Sequence, residues 1–493
     1  MAADAPLGVP AAGASGAAYT VGPLSEAPAF FVLFSICASL YLEEFVTPPA
    51  ALAASLLFAA ALIFFCTETL VKGWFPVFAV VLVLAGALSA YSLSMMNKRA
   101  VLPDSVKTAG RVVSSRRWGR GRALLIATPY GKFAGYTPDE GAPAEGSGVA
   151  LRGALFDFKR AEKPGAFDEM LYWRARGAVK KVVFFEIRET GAPAGLAAWR
   201  AKLAKLIDER LLPLSASYMA AFTVGSRGAP MEKVHRLAGT SHLLAVSGLH
   251  IWIIAGLFLF LLRGNLTRLF VVSLLLWGYL LLAGLPVGGV RAAVMVELAL
   301  AASVVGRPSS AFNNVSAAAV LLLLANPWNF FDLGWRLSVL CALFIAAASP
   351  LMPEGNLRPV CLTVLLWFVT APLLARAFGG VPLSGLVLNI FAVPAFGLLF
   401  PLILLLSLPP LLRLPFSWVA AESSEAMLFF FQKFLETGAS LLSGGVGGYA
   451  PLLAASVALF AAAAALRCGA SLKKASIISV IFVLFLFYCP AML

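Results

Sequence analysis

The sequence predicts a polytopic α-helical membrane protein of about ten to thirteen spans, with a small β-barrel inserted after the third. Three observations lead there. Of 493 residues, 60% are hydrophobic and 13% charged, with a mean hydropathy of +0.89, a composition at odds with an ordinary soluble domain. Apolar stretches of about 17–25 residues, the length that crosses a bilayer, recur along the chain. One stretch, 103–190, breaks that pattern with charge, turn signals and strand-like runs.

Residues 1–28 are rich in Ala, Gly and Pro and contain no Lys or Arg. A secretory signal needs a positive start, so this stretch reads as a disordered tail. Three apolar runs follow at 29–46, 50–66 and 74–96 and make a first helical unit, 29–96. Within 103–190, short β-type runs at Arg111–Ser114, Ala123–Thr128, Val149–Phe158 and Lys180–Ile187 are separated by glycine-bearing turns such as Gly141–Gly148. About five such strands suggest a small barrel. Residues 194–228 carry an amphipathic helix. Leu196, Trp199, Leu203, Leu206 and Leu211 recur at helical spacing, while Arg200, Lys202, Lys205 and Arg210 take other faces. Two placements stand: flat on an anionic headgroup surface, or packed on the barrel.

From 235 to 493 the chain is membrane again. Candidate spans are 242–262, 267–284, 287–306, 311–325, 334–351, 357–378, 382–407, 451–466 and 475–490. Segment 417–443 carries Glu422, Glu425, Lys433 and Glu436. It reads either as a span lining a cavity or as a shallow re-entrant pair.

The net charge of +14 is uneven, for residues 97–210 hold 22 Lys/Arg against 12 Asp/Glu, or +10 of the total. Either this is ordinary membrane-flanking charge, or the barrel is a basic domain that meets a polyanion, nucleic acid or anionic lipid. With a cytoplasmic N-terminus, three spans place the barrel outside and Arg263, Arg268, Arg307 and Arg358 inside. The six cysteines include no C-x-x-C pair and lie mostly in apolar runs, which suits buried thiols better than disulfides or zinc.

Residues 239–250 read Gly-Thr-Ser-His-Leu-Leu-Ala-Val-Ser-Gly-Leu-His and open an apolar run. Polar groups at membrane depth face a protein interior or a wet path, which singles out His242, Ser247, Gly248 and His250. Eight residues of helix rotate about 80°, so His242 and His250 do not match the i, i+4 geometry of a helical zinc pair. Each is by default a histidine satisfied inside the bundle. No P-loop, dinucleotide fingerprint or metal-hydrolase run is present, so no catalytic residue, metal or cofactor is expected. Arg291 follows Gly284-Leu-Pro-Val-Gly-Gly, a broken start to a span. Glu297 sits on nearly the opposite side of that helix, so each looks for a partner elsewhere. Asp332 and Arg336 are spaced i, i+4, either as a helix-start salt bridge or as pore groups. Asn389, ahead of Pro394 and Pro401, suggests either a discontinuous helix or a plain interhelical hydrogen bond.

The Gly239–His250 run strongly resembles the signature of the ComEC/Rec2 competence membrane proteins. Pro164-Gly-Ala-Phe-Asp-Glu169 with Tyr172–Gly177 resembles the end of that family's extracytoplasmic OB-type domain. Pro286–Met295, Phe331–Ser338, Thr370-Ala-Pro-Leu and Phe378–Pro394 resemble further family segments, in the same order. Arg336 stands where the family commonly has Gln, and residues 224–228 lack an acidic residue often seen there. The sequence ends at Leu493, so the metallo-β-lactamase-like domain of many members is expected to be absent. Three histidines could not furnish its metal site.

The resemblance implies a multi-pass inner (plasma) membrane channel that admits single-stranded DNA in natural transformation and does no covalent chemistry itself. Its OB-type domain would be extracytoplasmic. Arg111, Arg116, Arg117, Arg120, Arg122 and Lys132 are then the DNA-binding candidates. Trp118, Tyr130, Phe156, Phe158 and Trp173 would stack on bases or fill the barrel. Expected partners are the strand, the lipid bilayer, a cytoplasmic helicase, a separate nuclease and a DNA-receptor protein, with a homo-oligomer left open. Two other readings stand beside it: a transporter or scaffold of the same fold for a non-DNA substrate, and an intramembrane enzyme using His242 or His250.

Overall fold

In the computed structural model, the chain is described from residue 28 to 446, leaving out 44–45, 67–74, 98–101, 161–166, 227–228, 307–309, 353–354, 356, 379 and 443, and again at 456, 459, 462 and 463. The N-terminal stretch 1–27, Arg307 and the expected span 475–490 lie outside the described residues, as does nearly all of 451–466.

Three helices come first: α1 (Pro28–Leu42), α2 (Pro48–Cys66) and α3 (Phe75–Asn97). The barrel follows, with β1 (Ser105–Trp118), β2 (Gly121–Thr128), β3 (Gly131–Pro138), β4 (Gly148–Phe156), α4 (Glu169–Ala175) and β5 (Ala178–Gly191). Its strand order is 1-2-3-5-4, closed by β4 on β1, with only β3 and β5 parallel. This is the five-stranded barrel the resemblance implied. The expected run Arg111–Ser114 is the middle of a strand of 14 residues. A bulge between Val112 and Ser114 bends it, so its first half pairs with β4 and its second with β2. That bend closes the sheet. Along β4, Val149, Leu151 and Leu155 point inward while Arg152 and Phe156 point out, the alternation a barrel wall demands. Gly153 is required where β4 meets β5, because a Cβ would lie 2.4 Å from the Val183 carbonyl oxygen.

The expected helix over 194–228 is two helices, α5 (Leu196–Arg210) and α6 (Pro213–Thr223). Pro213 cannot continue α5 and is well suited to open α6. Neither expected placement describes α5 fully. Leu203, Ile207 and Leu211 pack into the bundle, while Trp199 stays 69% exposed. Arg200 ties it to the barrel through Glu145 and to the Val224 carbonyl (2.8 Å).

The bundle then runs through α7 (Ala229–Leu237), α8 (Gly248–Leu261), α9 (Asn265–Ala283), α10 (Val287–Val304), α11 (Ala311–Ala325), a 3-10 turn (Pro327–Phe331), α12 (Leu333–Ala348), α13 (Leu357–Phe378), α14 (Ser384–Leu411) and α15 (Ser417–Leu441). Among the described residues five helical segments are long and apolar enough to cross a bilayer: Ala79–Met96, α9, α10, Leu357–Ala375 and α14. Further apolar helices are shorter, including α1, α8, α11 and α12. Exposed Leu257, Phe260, Phe270, Leu274, Leu398 and Leu405 are the outward face such helices turn to lipid.

Two expectations are corrected here. Segment 417–441 is one unbroken helix, not a re-entrant pair. Its Glu425 carboxylate accepts from the Leu214 and Ser215 amides (2.9 and 2.8 Å) and from the Ser215 hydroxyl (2.9 Å). It thus caps the otherwise unsatisfied first turn of α6. Helix α14 also runs without a break through Pro394 and Pro401, so Asn389 does not mark a discontinuous helix. Each proline removes only one donor, and α15 packs along the helix as support.

Short connections make α8 to α12 alternate in direction. The 3-10 turn ahead of α12 sits against α4 of the barrel, where the Asn326 side chain donates to the Arg174 and Ala175 carbonyls (3.3 and 2.9 Å). Arg200, bound to the barrel, lies over Gly284 at the end of α9. Helices α8, α10 and α12 therefore all begin on the barrel side.

Replacing Glu425 by Ala is expected to lower stability by about 2 kcal/mol, with Glu425→Gln intermediate. Thermal unfolding of the full chain in detergent measures both.

Candidate functional site

The signature segment is a break in the bundle held by side chains from four helices. Helix α7 ends at Leu237, whose carbonyl accepts from the Ser384 hydroxyl (2.8 Å). Gly239 follows in the left-handed region (φ +69°), with its Cα side against Gly385. A Cβ there would lie 2.7 Å from the Gly385 Cα, so both backbones touch only because both residues are glycine. The Asn389 amide nitrogen donates to the Gly239 carbonyl (3.3 Å) and to Gly385 (2.7 Å), the interhelical reading of that residue. Thr240 then meets His235 on α7. Its hydroxyl lies 2.9 Å from Nδ1, while Nε2 hydrogen-bonds the Tyr218 hydroxyl of α6 (2.8 Å). All three side chains are buried.

After a 3-10 turn at Ser241–Leu243, α8 starts only at Gly248. The expected span 242–262 is thus a helix of 14 residues preceded by a bent approach. The Ser247 amide donates to His250 Nδ1 (3.2 Å), and the Ser247 hydroxyl lies 3.1 Å from the same nitrogen. His250 is buried against Phe222, Phe396 and Phe400, with ring centroids 4.4–5.5 Å away. It holds the bend through Nδ1, but its buried Nε2 has no hydrogen-bond partner among the described residues, so the expected satisfied bundle histidine is met only in part. His242 is exposed on the turn. No group of three or more His, Cys, Asp or Glu among the described residues could hold a metal.

Arg291 on α10 reaches the start of α8. Its Nη2 lies 3.7 Å from where a Gly248 Cβ would stand, its Nε donates to the Ser338 hydroxyl (2.8 Å), and Nη1 contacts Met295 Sδ (3.0 Å). Glu297 faces elsewhere and accepts from Trp277 Nε1 (2.6 Å). So Ser247, Gly248, His250 and Arg291 come together, and Glu297 does not join them. Asp332 caps α12 through the Trp335 amide (3.0 Å) and meets Arg176 of the barrel at 3.5 Å. Arg336 donates to the Phe330 carbonyl (2.6 Å) and lies over the Phe330 and Phe331 rings.

On the barrel, Arg116, Arg117 and Arg120 are exposed at the β1–β2 turn, with Arg111 and Lys132 exposed elsewhere on its wall. Arg122 is half-buried and bridges to Asp139 at 3.4 Å. Trp118 leads an aromatic cluster with Tyr136, Phe167, Tyr172 and Trp173, at 5.2–6.5 Å between centroids. Arg176 stacks on Tyr172 at 3.5 Å and Lys181 faces Tyr136 at 5.2 Å. Phe167 is 53% exposed and Trp118 36%. Of the aromatics the sequence singled out, Trp118, Tyr130 and Phe156 are exposed, and Phe158 and Trp173 are core. The Tyr136 hydroxyl donates to Glu169 (3.1 Å) and accepts from Trp173 Nε1 (3.0 Å), and burial pushes its pKa up to about 12. Burial also pulls the Arg174 and Arg176 values down from the ordinary guanidinium range.

Sequence reasoning missed His235, Tyr218, Ser338, Phe167, Tyr172 and Arg176. Phe167, Tyr172, Arg176 and Ser338 lay inside motifs already noticed. His235 and Tyr218 carried no local signal, because their partners come from other elements.

The competence protein family matches residues 228–473, which contain the whole signature and its clamps apart from Tyr218. The chain is also 28% identical over 265 residues to ComE operon protein 3 of Bacillus subtilis (strain 168). The match takes in 50% of this chain and 34% of that protein, so the chain spans about a third of its relative's length. No solved structure matches.

His235→Ala would leave the Tyr218 and Thr240 hydroxyls buried without their partner, at a cost of about 3 kcal/mol. His242→Ala, on the exposed turn, is expected to change stability by less than about 0.5 kcal/mol. Thermal unfolding of the two variants side by side checks the contrast.

Proposed function

Because the chain belongs to the competence protein family, the ComEC/Rec2 group that its signature resembles, we propose that it is an inner-membrane channel for single-stranded DNA in natural transformation. The observation that carries this reading is the joint between barrel and bundle. A basic barrel with exposed aromatics and stacked cations sits directly on the side where α8, α10 and α12 begin. Such surfaces suit a single strand, whose phosphates attract Arg and Lys while its bases stack on rings. The barrel would lie outside the membrane, receive the strand and hand it to the signature region.

The chain would do no covalent chemistry. Its buried histidines serve as clamps for a bent backbone, and the Thr240 and Ser247 hydroxyls beside them are read as parts of those clamps. Drive and strand degradation then fall to partners: a cytoplasmic helicase, a separate nuclease, and a receptor that presents the DNA.

Deleting the coding gene from a naturally transformable host is expected to abolish uptake of labelled single strands, and the wild-type chain to restore it. Replacing Arg116, Arg117 and Arg120 together by Ala should weaken single-strand binding by the full chain in nanodiscs. It should also flatten the log K against log salt slope by about 2, near 0.7 per lost phosphate contact. Normal uptake in the deletion strain would overturn the reading.

A further inference from the structure

Arg291 is 6% exposed, and no carboxylate among the described residues accepts from it. Its hydrogen bonds go to a hydroxyl and a thioether, neither of which balances its charge. Nη2 has no hydrogen-bond partner there. Burying a cation without a counter-charge is unfavourable, so something anionic is expected at this position.

Its surroundings make the imbalance larger. In α8 the first amide to close a helical bond is that of Ile251, to the Ser247 carbonyl (3.3 Å). The amides of Gly248 and Leu249 ahead of it are left over by the helix. In α10 the first is Val290, to the Pro286 carbonyl (2.9 Å), and Pro286 supplies no capping side chain. Two positive helix ends therefore flank the guanidinium. Gly288 lies between them, facing Ser338 and the approach to α8. A Cβ there would stand 3.4 Å from the Ser338 hydroxyl and 3.8 Å from the Val246 carbonyl. Side chains on a helix lean toward its N-terminus, which directs Arg291 back into this corner. The corner lies on the barrel side of the bundle. By contrast, the N-terminus of the neighbouring α12 has its own acid, Asp332.

We infer that the corner formed by Gly248, Gly288, Ser338 and Arg291 is a phosphodiester-binding subsite, in which the Arg291 Nη2 and the leftover amides of α8 and α10 hold one backbone phosphate of the passing strand. The ligand class is a phosphate with one negative charge. The corner contains no base-reading group, so the contact is independent of sequence. This inference rests on the reading of the chain as a single-strand channel and places one specific step of that passage.

The test uses the full chain in phosphatidylcholine nanodiscs and fluorescein-labelled oligothymidylate, read by anisotropy across a salt series. Arg291→Gln is expected to bind about tenfold more weakly and to flatten the salt slope by about 0.7, with Arg291→Lys between. Ser338→Asp is the second variant. It puts a carboxylate of the chain's own beside Arg291, so it should raise the thermal midpoint while lowering oligonucleotide affinity. Misfolding would not give opposite signs. A strand of abasic deoxyribose phosphate should suffer the same Arg291→Gln penalty as oligothymidylate.

Unchanged affinity and slope in both variants would overturn the subsite. So would a response to Arg291→Gln that appears only in phosphatidylglycerol discs, which would assign the corner to a lipid headgroup. Stabilisation of the wild type by inorganic phosphate, with no oligonucleotide effect, would assign it to the free ion and likewise overturn the proposal. If the wild-type chain binds no oligothymidylate at all, the channel reading itself fails. If it binds and the variants bind alike, only the subsite fails.

Discussion

Lipid offers no partner to a freed backbone carbonyl or amide, and between Leu237 and Gly248 this chain gives up α-helical bonding within its bundle, keeping only one 3-10 turn. The rest of the site depends on how that break is satisfied. Ser384 takes the Leu237 carbonyl, Asn389 takes that of Gly239, and His250 takes the Ser247 amide. Each clamp is also tied into a hydrophobic cluster. Asn389 sits one residue from the buried Leu388, and His250 is enclosed by Phe222, Phe396 and Phe400. Packing thus fixes the clamps, and the clamps fix the bend. The bend in turn leaves the start of α8 facing Arg291 instead of covering it with another turn of helix.

A second consequence concerns the joint with the barrel. The Arg176–Asp332 pair is partly exposed at 3.5 Å and contributes at most about 1 kcal/mol. It does not hold the domains together by itself. The stronger constraint is geometric. Asn326 satisfies the last carbonyls of α4, Asp332 caps α12 while touching Arg176, and Arg176 stacks on Tyr172. Asn326, Asp332 and Arg176 each sit at a helix end and contact the other domain. Rotating the barrel would free the last carbonyls of α4 from Asn326 and part Arg176 from Asp332, while leaving the Asp332 cap on α12 in place.

Much of this architecture was legible in the sequence because it depends on periodicity. Apolar runs located the helices, and alternation located the strands from Ala123 and Val149 onward. The Gly284-Leu-Pro turn was readable too, since Gly284 and Leu285 both adopt positive φ (83° and 53°) ahead of Pro286. What was not legible depends on contacts remote in the chain. Glu425 looked like a burden on a span until Leu214, some 210 residues earlier, placed an amide against it. Pro394 and Pro401 suggested a broken helix, because a local rule cannot register the packing of α15 alongside. His235 looked unremarkable because neither Tyr218 nor Thr240 marks itself as its partner. Arg291 was visible as an odd charge, whereas the lack of an acid partner for it among the described residues was visible only in three dimensions.

The distribution of cations fits the demands of a route for a polyanion. On the barrel, many exposed Arg and Lys side chains cost little to solvate and can release counterions when a strand arrives. Inside the bundle a cation is expensive, and a strand held too firmly there would not move on, since conduction needs binding weak enough to leave. The chain meets both limits by using few cations and aligned dipoles instead. Helices α8, α10 and α12 all begin toward the barrel; the first turns of α8 and α10 carry no acidic side chain, while Asp332 offsets the end of α12. Arg336 is partly neutralised in effect by the faces of Phe330 and Phe331, which leaves Arg291 as the more strongly unbalanced of the two. A steep field at the mouth and a single strong point below it would draw a strand in without trapping it along its length.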